Sequence, residues 1–205
     1  MKQLQNPYLC LIGNQRSLKT TLLQYFTYYK IVDTQLSVYL VCSEEKFLAN
    51  TSLFGKIIPV YQETLQQMNV KLIKSYQEYL AVLGSFSYMD NKEYDIFIFD
   101  DISHFVGTDQ KEKKLNLMLH LISQIKPRQQ LDDFQIIVNL QSDIIGQLID
   151  LINLTRYHNF LICELKLSPK LTIQIVDIIK IMDNYQLQYK TIIMSDISRA
   201  INDRL

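Results

Sequence analysis

Tyr8-Leu9-Cys10-Leu11-Ile12-Gly13-Asn14-Gln15-Arg16-Ser17-Leu18-Lys19-Thr20 is the stretch that decides how the rest of the chain is read. Tyr8 to Ile12 is a short continuous apolar run ending at a glycine, the pattern of a strand buried on both faces and meeting a turn. From Thr20 to Tyr29, Leu22, Leu23 and Phe26 recur at helical spacing. The stretch is strand, turn, helix. Its turn fits the pattern G-x-x-x-x-G-K-[ST] at every defined position except one, where Leu18 stands for the second glycine. In an intact loop of this kind, successive backbone N–H groups and the helix N-terminus cradle phosphates, the lysine reaches the outer ones, and the hydroxyl residue holds Mg²⁺. Leu18 puts a side chain where the backbone must approach those phosphates closely. The plain alternative is an ordinary junction that happens to carry Lys-Thr. The flanking elements favour a descended phosphate loop, with Gly13, Ser17, Lys19 and Thr20 as its candidate binding residues.

Working outward, continuous apolar runs alternate with helical patterns. Leu36–Cys42, Val70–Ile73, Tyr94–Phe99 and Phe134–Leu140 read as strands, Gln77–Phe86 and Lys111–Ile125 as helices, and 44–68 as mixed and mostly helical. Such alternation predicts an α/β domain whose mostly parallel sheet is covered by helices on both faces. Residues 142–154 read as a short helix. Beyond 155 the runs Phe160–Leu167, Leu171–Ile181 and Leu187–Met194 are separated only by turn signals, which predicts antiparallel strands extending the sheet. With no linker or repeat, residues 1–205 are expected to form one domain, an α/β core over 8–155 and a strand extension over 156–205.

Three further places could carry chemistry. Asp100 ends a strongly apolar strand, where a carboxylate beside a phosphate loop holds Mg²⁺ directly or through water; many strands also end in Asp as a turn former. Glu44 follows the second strand and could activate an attacking water, or could simply complement the next helix's N-terminus. Gln141, just past Phe134–Leu140, could sense a terminal phosphate, although an exposed Gln after a strand is commonplace.

Composition limits the functions open to the chain. Of 205 residues 48% are apolar and 20% charged, a globular profile, and 21 basic residues balance 21 acidic ones. A stand-alone nucleic-acid binder usually carries a basic excess, so neutrality argues against one and leaves room for a local patch. The candidate patch is Lys111, Lys113 and Lys114, mixed with Asp109 and Glu112; its plain reading is a solvated helix start. The crowded tyrosines Tyr25, Tyr28 and Tyr29 beside Phe26 are either a half-buried helix or an interface. Cys10, Cys42 and Cys163 show no metal-ligand spacing, and His104, His120 and His158 add none. Buried odd thiols, with no signal-peptide or membrane-length apolar segment, predict an intracellular protein, nuclear or cytoplasmic and not secreted.

Taken in order, Gly13, Lys19-Thr20, Glu44 with Phe47 three residues on, Asp100-Asp101-Ile102-Ser103, Gln141 and Thr155-Arg156 resemble the core of the RecA/recombinase ATPase family over roughly residues 8–180. The resemblance implies a RecA-like phosphate-loop core with C-terminal antiparallel strands. It places Glu44 where that family keeps its catalytic glutamate, Asp100 at its Mg²⁺-associated aspartate, and Gln141 at the end of its sensor strand. Few residues precede Gly13, so the family's N-terminal DNA-binding domain and polymerisation strand are expected to be absent. Residues 142–154 hold aliphatics where recombinases carry a Gly-rich loop. The other DNA-facing loop corresponds to 105–114, the segment with Lys111, Lys113 and Lys114.

A damaged phosphate loop without a polymerisation arm is similar to a small recombinase paralogue of the Shu-complex type. That likeness implies a pseudo-ATPase carrying either no cofactor or ATP with Mg²⁺. Its expected partners are another RecA-like paralogue or a SWIM-domain protein, a recombinase, and single-stranded DNA reached through the complex, with no membrane. Two alternatives are a genuine slow DNA-dependent ATPase and a RecA-like subunit of Elongator's accessory ring, which acts in tRNA modification.

Overall fold

The computed structural model describes residues 8–14, 36–45, 68–86, 94–125, 135–144, 148–168, 170–181 and 184–193, together with positions 19, 20, 23, 24, 26, 27, 31 and 146. Eight strands form one sheet: β1 (Tyr8–Gly13), β2 (Val38–Ser43), β3 (Met68–Ile73), β4 (Ile96–Phe99), β5 (Gln135–Gln141), β6 (Leu161–Ser168), β7 (Lys170–Ile181) and β8 (Asn184–Ile193). Their spatial order is β3-β2-β4-β5-β1-β6-β7-β8. The first six positions in that order are parallel, and β7 and β8 add an antiparallel ribbon. The described positions between 19 and 31 are helical, and the helices with defined ends are α1 (Tyr76–Ser85), α2 (Ser103–Val106), α3 (Lys111–Ser123) and α4 (Leu148–Tyr157).

The apolar runs read from the sequence become strands because each has both faces buried. In β4, Phe97 and Phe99 join the core on one face while Ile96 and Ile98 join the core on the other. All four are fully buried, each stabilising the fold by about 1.5–3 kcal/mol relative to exposure. The first face packs under α1, α2 and α3 through Tyr79, Leu83, Phe105, Leu115, Met118, Leu119 and Ile122. An aromatic cluster joins these layers: Phe86 meets Phe97 edge-on with ring centroids 5.4 Å apart, and Tyr79 lies 5.0 Å from Phe105. The second face carries Leu23 and Ile31 from the helix that follows the Gly13 turn.

Two segments differ from the sequence reading. The run read as Phe160–Leu167 is antiparallel to β7, as expected, but on its other side β6 pairs with β1 in parallel, Leu9 opposite Leu161 and Gly13 opposite Leu165. The reason is α4, which is long enough to return the chain from the carboxyl end of β5 to the opposite end of the sheet. The antiparallel pairings are β6 with β7 and β7 with β8. The second difference is residues 105–114, which are not one loop. Ile102, Phe105 and Val106 are drawn into the core, the last two within the short helix α2. Gly107, at φ +67°, turns the chain out of α2 in a conformation few other residues adopt. Lys111, Lys113 and Lys114 then occupy the first turn of α3.

Ser17, Leu18, Leu22, Tyr25, Tyr28, Tyr29, Phe47 and the stretch 46–67 lie outside the described residues. No described helix is long and apolar enough to cross a membrane.

Candidate nucleotide site

The strand order decides what can meet. In the parallel sheet the carboxyl ends of β1, β5, β4 and β2 share one edge, and β1 has β5 on one side and β6 on the other. Connections leave β1 toward β2 on one side, while β6 is added on the other, a switch in direction that opens a crevice at that edge. Gly13, the last residue of β1, stands opposite Gln141, the last of β5. Asp100 follows β4 directly, and its backbone N–H donates to the carbonyl of Val41 at 2.8 Å, holding it against β2.

Lys19 and Thr20 approach this edge from the helix that follows the turn. The Lys19 ammonium is almost fully buried and donates to the carbonyls of Gly13 and Asn14, each at 2.8 Å. A cation held on loop carbonyls beside a helix N-terminus is positioned to exchange those acceptors for phosphate oxygens. The Thr20 hydroxyl donates to Asp100 Oδ1 at 3.0 Å, linking the helix after the Gly13 turn to the end of β4 across the intervening strand β5.

Asn139 of β5 completes the bridge. It is fully buried, and its side-chain amide donates to the same Oδ1 of Asp100 in a short hydrogen bond. Asp100 is thus fixed from two directions, by a hydroxyl and by an amide. The carboxylate also raises a neighbour: burial first, and then the charge of Asp100, push the Cys42 thiol up to about 12. Cys42 is therefore a packing group and stays protonated. Further bonds shape the loop: Ser142 Oγ donates to Asn14 Oδ1 at 2.6 Å, Ser142 N–H to the Gly13 carbonyl at 3.1 Å, and Gln141 N–H to Ser103 Oγ at 2.8 Å. Asp101 turns the chain away from β4 with φ +49°, a left-handed conformation that Asp tolerates better than most residues.

Glu44 lies one strand farther out. The register sets Ser43 opposite Ile73, so Glu44 and Lys74 are the next residues of adjacent parallel strands. Their side chains form an ion pair at 3.2 Å. Beside it, Glu45 is 3.9 Å from His104 Nε2 of α2.

The structure therefore brings together Gly13, Lys19, Thr20, Asp100 and Gln141, with Glu44 at the rim. Lys111, Lys113 and Lys114 sit apart from that cluster on α3, which packs on the face opposite the helix after the Gly13 turn. Sequence reasoning missed Asn139, although one signal was present: a lone Asn inside the apolar run Ile136-Ile137-Val138-Asn139-Leu140. A polar side chain on a strand buried on both faces needs a partner, and here the partner is the candidate metal-associated carboxylate. Lys74 was also missed, because a lysine after a strand carries no signal without the register beside it.

The donor set suits Mg²⁺ with a phosphate ligand. The Thr20 hydroxyl and Asp100 carboxylate are hard oxygen donors in one place, and Lys19 supplies a point charge beside them. Among the described residues there is no group of three or more His, Cys, Asp or Glu side chains that would hold a metal by itself.

No protein-family model and no curated protein sequence matches the chain. Solved structures do. The RadB recombinase aligns over 90% of this chain and 86% of its own, at 16% identity and a TM-score of 0.62. A KaiC-like protein from the hyperthermophilic archaeon Pyrococcus horikoshii OT3 aligns over 91% of this chain and 84% of its own, at 11% identity and a TM-score of 0.56. With its six parallel strands flanked by helices, the chain has the RecA-like α/β fold.

Proposed function

We propose that this chain is a RecA-like subunit that binds Mg²⁺-nucleoside triphosphate and hydrolyses it poorly, acting as a recombinase paralogue within a heteromeric complex. The observation that carries the reading is the convergence of Lys19, Thr20 and Asp100, with Asn139 holding the carboxylate in place. Three separate elements contribute, so the arrangement exceeds what a chance Lys-Thr in a turn produces. Lys19 would take the outer phosphates, and Thr20 with Asp100 would hold the Mg²⁺, whose charge offsets that of the phosphates. Poor hydrolysis is proposed because Leu18 stands for the second glycine of the loop pattern, where the backbone must approach the phosphates closely.

The biological part of the proposal rests on the family resemblance and on the likeness of fold to a recombinase. In it, the subunit works in the nucleus with another RecA-like paralogue or a SWIM-domain protein and supports recombinase filament assembly on single-stranded DNA. A neutral chain needs such partners to supply most of the basic surface.

Titration with a fluorescent ATP analogue, with and without Mg²⁺, tests the nucleotide part. Saturable Mg²⁺-dependent binding that is lost in Lys19→Ala is the expected result; no binding by the wild-type chain overturns it. Affinity purification of the tagged chain tests the complex. A RecA-like or SWIM-domain partner supports the recombinase reading, whereas a stoichiometric ring carrying tRNA replaces it with the Elongator one.

A further inference from the structure

One side of the sheet ends at β8, which has β7 as its neighbour and, among the described residues, no strand beyond it. β6 pairs with β7 only over residues 170–175. Farther along, residues 176–181 of β7 are joined to residues 184–189 of β8 and to no other described strand, so a two-stranded ribbon runs on past the pairing with β6. Two strands are marginal by themselves, and three or more are needed for independent stability. β8 is also long for an edge, ten residues against six for β3 on the opposite side. Prolines, charges and bulges ordinarily keep an edge strand from pairing. β8 holds no proline or glycine and one charged residue, Lys190.

The register indicates what fits this edge. Tyr189 stands opposite Val176 and Leu187 opposite Ile178, so Tyr185, Leu187 and Tyr189 share one face of the ribbon with those two aliphatics. Asn184, Gln186, Gln188 and Lys190 occupy the alternate positions of β8. A second β8 can meet the edge in antiparallel sense about a two-fold axis perpendicular to the sheet. Opposing residues of an antiparallel pair share a face, so such an axis sets odd positions against odd and even against even. The Tyr-Leu-Tyr face then continues across the junction. With the axis at Leu187, Gln188 or Tyr189, Lys190 falls opposite Asn184, Gln186 or Gln188, and the strand's single charge meets no like charge. Nor does net charge drive two copies apart, since 21 basic residues balance 21 acidic ones.

We propose that β8 pairs antiparallel with β8 of a second copy, turning two projecting ribbons into a four-stranded β7-β8-β8-β7 arrangement and two sheets into one. β6 and β7 separate this edge from β1, so the interface and the candidate nucleotide site use different strands.

Sedimentation equilibrium of the full chain across a wide concentration range tests the proposal and should report a monomer–dimer equilibrium. A short bismaleimide should then link Gln188→Cys into a covalent dimer and leave Asn69→Cys, on the opposite edge strand, unlinked; the native thiols Cys10, Cys42 and Cys163 are buried. Gln188→Pro and Tyr189→Pro are compared because successive residues of a strand direct their N–H groups to opposite sides. One of the two interrupts the ladder with β7, and the other removes only an outward donor. The outward one should keep wild-type thermal unfolding and weaken the dimer about tenfold, because the two-fold axis counts the lost hydrogen bond twice. A chain that stays monomeric overturns the proposal, as does a dimer linked through position 69 and not 188, or one that both proline variants leave intact. If neither proline variant folds, the link at position 188 decides, and its absence from a dimeric sample overturns the pairing. A monomer that links through position 188 only after a RecA-like or SWIM-domain partner is added gives the edge to that partner and overturns self-pairing.

Discussion

Replacing Asn139 with leucine separates the stability of the sheet from the order of the site. The side chain is fully buried in β5, beside Leu11 of β1, and its amide donates to Asp100 Oδ1. Removing that donor forfeits a hydrogen bond to a charged group, worth about 1.5–3 kcal/mol. The same substitution removes Asn139 Oδ1, a buried acceptor with no partner among the described residues, which relieves roughly 1–3 kcal/mol. Leucine also adds apolar contact to a core that already holds Leu11, Ile98 and Ile137. Loss and gain nearly cancel, so Asn139→Leu should change unfolding free energy by no more than ~1 kcal/mol, read from the urea midpoint at constant m-value. The site should respond differently. Asp100 loses the Asn139 amide and keeps the Thr20 hydroxyl, and loss of an outer partner of a metal-holding carboxylate typically costs about tenfold or more in metal affinity. Titrating Mg²⁺ at fixed nucleotide should therefore show a midpoint shifted upward by about that factor. A variant destabilised by more than ~3 kcal/mol whose Mg²⁺ midpoint is unchanged would refute the reasoning, because Asn139 would then serve the sheet and not the carboxylate.

Two further outcomes follow from the same structure. Burial raises the Cys42 thiol from 9.0 to about 12, with Asp100 adding to the effect, and the Cys163 thiol from 9.0 to about 11. The unfolded chain releases these protons from about pH 9 while the folded chain retains them, so stability is complete below that pH and falls as pH rises through 11 to 12. For Cys42 alone the loss is on the order of 4 kcal/mol at the upper limit. Urea midpoints measured across alkaline pH should fall steeply in wild type and less so in Cys42→Ala; equal slopes would remove the thiol from the account. At the start of α1, Ser75→Ala removes the hydroxyl that accepts from Glu78 N–H and should cost about 1 kcal/mol. Thermal unfolding that is unchanged would show that the cap contributes nothing.

The alternation of buried runs and helical patterns was enough to read the α/β class, because a strand covered on both faces must be apolar throughout, as Ile96-Phe97-Ile98-Phe99 is. The strand before Gly13 and the helix that carries Lys19 and Thr20 were likewise legible, since both patterns are local in sequence. Direction was less legible. Leu161–Ser168 joins β1 in parallel only because α4 carries the chain back across the sheet, and nothing within the strand's own residues states that.

What the sequence by itself determined about this protein is therefore the local part: which runs are strands, where the strand–turn–helix junction lies, and which carboxylates follow strands. Only the tertiary structure decided which of these groups meet. Thr20 and Asp100 are far apart in the chain and touch because β5 alone separates β1 from β4. Asn139 gained its partner from that same intervening position, and Lys74 gained Glu44 from the register of β2 on β3. Strand order and register are set by long-range packing, so the chemistry at the sheet edge is a property of the assembled sheet that no single segment encodes.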